Sequence, residues 1–229
     1  MTDPIRIDVW SDVACPWCYI GKRNLEAGIA AASGDDDAPQ VEVTFHSYEL
    51  SPDTPADYEG TEVDYLVQRK GMPPAQVRQM FAHVTEVAAQ AGLDYHFETV
   101  QPANTVKAHE LLHFAKEQGR QQEVKERLLA AHFVEGRHVG RIDDLVDLAA
   151  EAGLDADAAR EALESGRYLP AVRTDQRQAA AYGITGVPFF VIDGTYGVSG
   201  AQPPEAFAQI VRRVWPEHTA DEPAVSETA

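Results

Sequence analysis

The sequence predicts an α/β protein: a four-stranded mixed sheet flanked by helices, interrupted by a large all-helical insertion. Residues 5–10 alternate between apolar and polar as strands do, and residues 189–199 predict two further short strands joined by a turn. Between about residues 61 and 177 the apolar residues recur at helical spacing instead. The two flanking pieces are each too small to hold a core, so we expect them to combine into one sheet domain.

The N-terminal part of the chain predicts a strand, a helix and a second strand. Residues 5–10 alternate, and a helix follows from about 15 to 32, with Pro16 in its first turn, where a missing N–H group loses no hydrogen bond. Residues 41–45 alternate again. Because the connections are short, we expect a βαβ unit with parallel strands.

Helical spacing governs the middle of the chain, where we expect five or six helices. Two sets of apolar residues share the spacing i, i+3, i+4 and i+7: Ala108, Leu111, Leu112 and Ala115, and Leu145, Leu148, Ala149 and Ala152. Glycines near 92, 119 and 153 indicate loops between helices. The apolar stripes need a partner, so we expect this block to pack over the edge of the sheet that carries the cysteines and to roof a cleft there.

The sheet resumes after the helical block. Phe189–Ile192 is a short apolar run, Asp193-Gly194 is a hairpin-turn signal, and Tyr196–Ser199 is the returning strand. Residues 204–214 then predict a final amphipathic helix. The predicted organisation has three parts: a discontinuous sheet domain at 1–60 and 173–215, a helical insertion domain at 61–172, and a mobile acidic tail at 216–229.

Composition and charge exclude several classes of partner. The chain has 229 residues, with 19 basic and 37 acidic side chains and a net charge of −18. Such an acidic body repels nucleic acid and anionic membranes, so we expect neither as a partner. No apolar run approaches the ~18–20 residues of a membrane span, and the N-terminus lacks the pattern of a secretory signal. We therefore expect a cytoplasmic protein, either a monomer or a homodimer.

The only two cysteines lie in the motif Cys15-Pro16-Trp17-Cys18. At i and i+3 in the first turn of the predicted helix, both sulfurs face one side. The helix N-terminus favours a thiolate, so we expect a lowered pKa at Cys15 and assign it as the nucleophile, with Cys18 as the resolving thiol. Half a metal site or inert thiols are the alternatives, but a pair directly after a strand in a βαβ unit favours dithiol–disulfide exchange.

A second motif, Gly186-Val187-Pro188-Phe189, precedes the third predicted strand. A glycine followed by an apolar strand indicates a tight turn, where a cis X–Pro bond is far more frequent than the overall ~5–6%. We expect a cis bond at Val187–Pro188, which would turn the backbone of Val187 toward an extended substrate segment beside the thiols. The alternative is a trans proline that merely begins the strand.

The chain is similar to the DsbA family of thioredoxin-fold oxidoreductases, and within it to the cytoplasmic FrnE-like branch. The match rests on Asp12-Val13-Ala14-Cys15-Pro16-Trp17-Cys18-Tyr19-Ile20-Gly21-Lys22, on Gly183-Ile184-Thr185-Gly186-Val187-Pro188-Phe189-Phe190-Val191 and, more weakly, on Asn104-Thr105 with Ala108-His109. The resemblance spans about residues 5–215. It implies a thioredoxin-like sheet domain with a helical insertion, a nucleophilic Cys15, a resolving Cys18 and a cis Pro188.

The chain departs from that family in two ways. Many thioredoxin-fold enzymes have a buried acidic residue six positions before the first cysteine, and here that position is Val9. The group that accepts the Cys18 proton is therefore open. Some FrnE-like proteins have further C-terminal cysteines, and this chain has none.

Further residues complete the predicted site. We expect Pro16 and Trp17 to tune the redox couple, and Trp17, Val187, Pro188 and His109 to bind substrate. His109 and His113 share one helix face, but no H-E-x-x-H pattern is present, so we expect no metal. The expected substrates are disulfide-containing proteins or small thiols, with glutathione as a candidate substrate or reductant and no bound cofactor.

Two other functional classes remain open. The 2-hydroxychromene-2-carboxylate isomerases and kappa-class transferases resemble this chain in their inserted thioredoxin fold, and they typically hold the glutathione thiol with one Ser or Cys. Two cysteines favour redox chemistry over that glutathione-dependent class. A non-catalytic binding module on the same fold would not cycle the cysteine pair.

Overall fold

A computed structural model describes residues 3–33 and 39–219. Within these ranges four strands form one sheet in the order β2-β1-β3-β4: β1 (Ile5–Ser11), β2 (Val41–Ser47), β3 (Phe189–Ile192) and β4 (Tyr196–Ser199). β1 pairs in parallel with β2 and antiparallel with β3, and β3 pairs antiparallel with β4. The predicted four-stranded mixed sheet is confirmed.

The same described residues contain nine helices: α1 (Pro16–Ala32), α2 (Glu62–Lys70), α3 (Pro74–Gln90), α4 (Val106–Glu117), α5 (Gln121–Phe133), α6 (Ile142–Glu151), α7 (Ala156–Ser165), α8 (Leu169–Ala181) and α9 (Pro204–Thr219). Seven of them lie between β2 and β3, where the sequence predicted five or six. The block is divided more finely because Gly71 and Gly166 end α2 and α7 in the left-handed conformation. None of these nine helices is long and apolar enough to cross a membrane.

Helix α1 contributes to two hydrophobic cores. Its C-terminal half, with Leu25 and Ala32, packs in the core of the sheet domain beside α9. Its N-terminal half, with Tyr19 and Ile20, packs in the core of the helical block. The start of α1 therefore lies at the junction of the sheet and the helices, and so do the side chains that it carries.

Helix α5 covers the outer edge of the sheet. The Phe45 N–H on β2 donates to Gln121 Oε1, and Gln121 Nε2 donates to the Phe45 carbonyl, both at 2.9 Å. Gln122 Nε2 donates to the Val43 carbonyl at 2.7 Å. Two side-chain amides thus satisfy backbone groups that an edge strand would otherwise leave unpaired.

A polar cluster around Asp175 joins α8 to the C-terminal end of β2. Asp175 accepts hydrogen bonds from the Ser47 N–H at 2.7 Å and from His46 Nδ1 at 3.0 Å, and His113 Nε2 lies 3.1 Å from the same carboxylate. His46 Nε2 donates to Asp8 at 2.7 Å. Burial lowers the pKa of His46, but the carboxylates that face both of its ring nitrogens outweigh this and raise the pKa above its ordinary value.

The C-terminal helix is longer than expected. Because α9 continues through Pro216 to Thr219, the tail predicted from residue 216 was wrong for residues 216–219. The helix end is tied down by His218, which contacts Asp193 at 2.6 Å and the Asp3 carbonyl at 3.0 Å. The rest of the predicted tail, 220–229, lies outside the described residues.

Candidate active site

The two thiols lie at the start of α1. Cys15 is the N-cap residue with an extended backbone, Pro16 begins the helix as predicted, and the Cys18 N–H donates to the Cys15 carbonyl at 3.0 Å. Both cysteines are free thiols. Their exposed fractions are only 4% for Cys15 and 2% for Cys18, so both sulfurs are screened from water.

The turn before β3 closes against the first thiol. The Val187–Pro188 peptide bond is cis, and Cys15 Sγ lies 3.5 Å from the Val187 carbonyl oxygen. Behind it, a Cβ added at Gly21 would lie 2.9 Å from Pro188 Cγ and 3.2 Å from Phe190 Cζ. α1 and this turn therefore approach each other so closely that only glycine fits at position 21.

Replacing Gly21 by Ala is expected to disturb this packing. Alanine favours a helix by roughly 1 kcal/mol over glycine, but its Cβ must displace the Pro188 ring, and such overpacking typically destabilises by about 1–3 kcal/mol. We expect a lower melting temperature and slower disulfide exchange, measured by thermal unfolding and insulin reduction. Gly186→Ala is the matched control, because nothing lies within 4 Å of its Cβ. Equal melting temperatures for the two variants would contradict the close fit.

The charges in the pair are distributed differently from the prediction. The hydrogen bond to Cys18, together with burial, raises the pKa of Cys15 well above its ordinary value. Burial opposes ionisation of Cys18 too, but the hydrogen bond from Cys15 and the charge of Lys125 outweigh it, and the pKa of Cys18 is lowered. The expected low pKa at Cys15 was therefore wrong for the reduced pair. The two thiols are coupled, so the first ionisation belongs to the pair, and the surroundings favour the thiolate at Cys18.

Asp12 holds a second negative charge beside the thiols. Its carboxylate accepts the Leu50 N–H at 2.7 Å and lies 3.3 Å from His109 Nε2. Burial alone would raise the pKa of Asp12, but the hydrogen bond and charge of His109 lower it. His109 itself has no exposed surface. This placement contradicts the predicted contact of His109 with substrate, and the ring instead holds Asp12 beneath the site.

The helical block reaches across the cysteine motif. The Tyr95 hydroxyl donates to the Pro16 carbonyl at 2.7 Å. Trp17 is half-buried against the core of the block, with its ring centroid 6.5 Å from that of His83 on α3. These contacts confirm that the block packs over the edge of the sheet that carries the thiols.

A cavity of about 200 Å³ opens beside this edge, between the sheet domain and the helices. Its lining comes from the loop before α1, from α2 and the loop ahead of it, from the loop before α4, and from α5: Asp12, Ala14, Leu50, Ser51, Thr54, Glu62, Tyr65, Leu66, Lys70, Pro102, Ala103, Thr105 and His132. Burial raises the pKa of Glu62 to about 7 and lowers that of His132 to about 4. The cavity reaches Ala14, the residue before Cys15, and is the predicted cleft.

Sequence reasoning missed Lys125. The side chain is completely buried, and its Nζ has no hydrogen-bond partner in the described part of the chain. It follows Gln121 by four residues and precedes Leu129 by four, so all three share the face of α5 that turns inward. Lysine and glutamine are mostly exposed in folded proteins, so the sequence pattern predicts that this face of α5 is exposed to solvent.

Comparisons with known proteins agree on the fold and the family. The family model described as DSBA-like thioredoxin domain matches residues 6–212. The uncharacterized protein YwbO of Bacillus subtilis is 31% identical over 213 residues, which cover 90% of this chain and 96% of that protein. A crystal structure of a probable DsbA oxidoreductase from Streptomyces coelicolor is 38% identical, with a TM-score of 0.86 and coverage of 98% and 95%. The cytosolic disulfide reductase DsbM of Pseudomonas aeruginosa, solved with GSH, shares the fold at 20% identity, a TM-score of 0.63 and coverage of 91% and 98%.

Proposed function

The chain belongs to the family of DSBA-like thioredoxin domains and is an oxidoreductase, and we propose that Cys15 and Cys18 carry its electrons by cycling between a dithiol and a disulfide. The observation that supports this most directly is the position of both cysteines in the first turn of α1. There the Cys18 N–H donates to the Cys15 carbonyl, and Cys15 Sγ lies against the Val187 carbonyl. The reaction needs no bound cofactor, because the two sulfurs supply both electrons.

In the first step Cys15 attacks a substrate disulfide. The reduced pair carries its charge on Cys18, with the Cys15 thiol donating to it. Transfer of that proton along the hydrogen bond creates a thiolate at Cys15, which is stabilised by the helix N-terminus. Its sulfur forms a bond to one substrate sulfur, and the other half of the substrate leaves as a thiolate.

In the second step Cys18 resolves the mixed disulfide. Cys18 first loses the proton that it took from Cys15. Its thiolate then attacks Cys15 Sγ, the Cys15–Cys18 bond forms, and the second half of the substrate leaves as a thiolate. Two electrons have then passed from the pair to the substrate. The reverse sequence oxidises a substrate dithiol, and the potential of the pair against its compartment sets the direction.

The surroundings of Cys15 favour two kinds of substrate. An extended protein segment can lie along the Val187 turn and the exposed part of Trp17. A small thiol can enter the cavity at Ala14, and glutathione is the candidate because the DsbM structure contains it. We further propose that the chain is cytoplasmic and falls in the FrnE-like branch.

Equilibration against glutathione redox buffers tests the proposed function. The pair is trapped by alkylation at each ratio, its mass is measured, and insulin reduction by dithiothreitol is followed in parallel. We expect a single transition to a Cys15–Cys18 disulfide and insulin reduction faster than with dithiothreitol alone. A pair that never closes contradicts the proposal. If such a chain still added glutathione to an electrophile, the glutathione-dependent isomerase or transferase class would be favoured instead.

A further inference from the structure

Lys125 is a buried lysine whose Nζ has no hydrogen-bond partner among the described residues. Its side chain has no exposed surface, and that nitrogen lies 5.4 Å from the centre of the Phe45 ring. An unpaired ammonium in such a place is strongly unfavourable unless a negative charge compensates it. An apolar residue of similar volume would fill the same space without this penalty.

The position of the side chain is fixed by its helix. One turn before Lys125, Gln121 exchanges two hydrogen bonds with the backbone of Phe45, and Phe45 is the ring that Lys125 contacts. Gln122 adds a third bond to the same strand edge. The aliphatic part of Lys125 is therefore held between α5 and β2, and its Nζ has little freedom to leave.

The carboxylates near Lys125 are already engaged. Glu126, its neighbour in sequence, accepts hydrogen bonds from Tyr19 at 2.5 Å, from Lys22 at 2.7 Å and from Arg23. Asp12 is held by His109 and the Leu50 N–H. Neither carboxylate forms an ion pair with Lys125 among the described residues.

Helix α5 lies against the first turns of α1, since Glu126, the residue after Lys125, accepts hydrogen bonds from Tyr19 and Lys22 there. The cysteine pair in that first turn is the group that remains to balance the charge of Lys125. Burial lowers the pKa of Lys125, while the charges of Cys18, Asp12 and Cys15, in that order, raise it, and Lys22 lowers it further. The effect is mutual, because Lys125 is the cation that lowers the pKa of Cys18. Of these groups, only the two cysteines lose their charge when they are oxidised.

We propose that Lys125 exchanges a proton with the Cys15–Cys18 pair, so that it is an ammonium while the reduced pair holds a thiolate at Cys18 and a neutral amine once the pair is a disulfide. The inference rests on the proposed function. It gives the resolving thiol the proton acceptor that Val9 cannot provide, and it assigns that acceptor to the helical insertion rather than to the sheet.

The proton balance of one cycle follows. Once Cys15 has formed its bond to the substrate, the pair holds no thiolate, and the Lys125 ammonium gives its proton to the first departing substrate thiolate. In the mixed disulfide the resulting neutral amine takes the proton of Cys18, and the Cys18 thiolate attacks Cys15 Sγ. The S–S bond between the two cysteines forms as the bond from Cys15 to the substrate sulfur breaks. The ammonium is then left beside an uncharged disulfide and releases its proton, which neutralises the departing substrate thiolate. In this scheme Lys125 is the base that takes the proton of the resolving thiol.

Lys125→Met tests the inference without the need for a substrate. Thiolate absorbance near 240 nm, followed against pH in the reduced protein, reports the first ionisation of the pair. A neighbouring cation typically shifts a pKa by about one to three units, so we expect the midpoint to rise by about one unit or more in this variant. With glutathione buffers, the equilibrium is expected to shift at least about tenfold toward the disulfide, close to 30 mV for a two-electron couple.

Two controls separate this effect from a structural one. Lys22→Met removes a lysine that is also nearly buried, but whose charge is balanced by Glu26 and Glu126. We expect it to lower the melting temperature and to leave the thiol midpoint in place. Lys125→Arg keeps the charge and should restore a midpoint close to that of the wild type. An unchanged midpoint in Lys125→Met would overturn the inference.

A measurement on the unmutated chain covers the case in which Lys125→Met does not fold. The chain has few lysines, so selective ¹³C labelling of their Cε atoms resolves them by NMR, and Lys125→Arg identifies the signal. We expect Lys125 to titrate at a lower pH in the disulfide form than in the reduced form. Equal titration in both forms would refute the proton exchange. A different result is that the unmutated chain fails to cycle with glutathione although the thiol midpoint of Lys125→Met is shifted. That result would refute the proposed function and leave the role of Lys125 standing.

Discussion

Disulfide exchange is expected to be lost when Cys15 is replaced by serine and to stop halfway when Cys18 is replaced. Without Cys15 no sulfur remains beside the Val187 carbonyl to form the mixed disulfide. A serine hydroxyl cannot substitute for it, because the thiolate is the nucleophile in disulfide exchange. Insulin reduction and glutathione cycling by Cys15→Ser should both fall to the rate without protein.

The Cys18→Ser variant should accumulate the intermediate. Cys15 can still attack, but no second thiol is available to release the substrate, so a mixed disulfide with glutathione or a protein is stable. The measurement is the mass of the intact protein after exposure to oxidised glutathione, followed by peptide mapping of the adduct. We expect one glutathione on Cys15 in this variant and none in Cys15→Ser.

An adduct on Cys18 instead of Cys15 would also be informative, because both thiols of the pair are affected by their surroundings. In the reduced pair burial raises the pKa of Cys18, but the hydrogen bond from Cys15 and the charge of Lys125 outweigh it and lower the pKa. If Cys15→Ser forms the stable adduct through Cys18 and Cys18→Ser does not, the two roles are exchanged. The resolving function would then belong to the thiol at the N-cap, and the proposed order of steps would be wrong.

The sequence predicts the sheet well because its signals are local. Alternation over Ile7 and Val9 places both side chains in one core, and the Asp193-Gly194 turn joins β3 to β4. The clamp between Gln121 and β2 has no such signal, since its two ends are 76 residues apart. Only the folded chain shows that a polar face of α5 is buried against a strand edge.

The candidate site divides in the same way. Cys15, Cys18 and Pro188 lie in short motifs whose geometry follows from one helix start and one strand start. Lys125 affects the pKa of Cys18 through its charge, and Asp12 contacts His109. In both cases the partner belongs to another element of the fold. The predicted pKa of Cys15 failed for this reason: the helix N-terminus is a local property, whereas burial and the neighbouring charges come from the tertiary fold.

The second large effect concerns stability. Asp175 connects α8 to β2 and α4 through the Ser47 N–H, His46 and His113, and its carbonyl accepts the Trp10 indole N–H at 3.1 Å. Trp10 stacks on His46 with ring centroids 4.6 Å apart and directly precedes Ser11 and Asp12. Removing one partner from a buried ion pair typically destabilises by about 3–5 kcal/mol. We expect a loss of that size for Asp175→Asn.

The pH dependence identifies the cause. Burial raises the pKa of Asp175, but hydrogen bonds from His113, His46 and the Ser47 N–H outweigh it, and the pKa lies below the usual 3.8. This contribution is complete above about pH 4 and is lost as the pH falls through the folded value. The pKa of His46 is raised above 6.5 by Asp175 and Asp8 against the effect of burial, so its contribution is complete below 6.5 and is lost as the pH rises through the folded value.

The difference between wild type and Asp175→Asn should therefore be largest between about pH 4 and 6.5 and should shrink on either side. Urea unfolding at several pH values measures it. Asp53→Asn is the matched control, because Asp53 pairs with Arg69 on the surface with 73% of its side chain exposed, and exposed pairs contribute little. A loss for Asp175→Asn that stays constant from pH 3 to 9 would mean that packing, and not the charge between α8 and β2, holds this face of the sheet beneath the thiols.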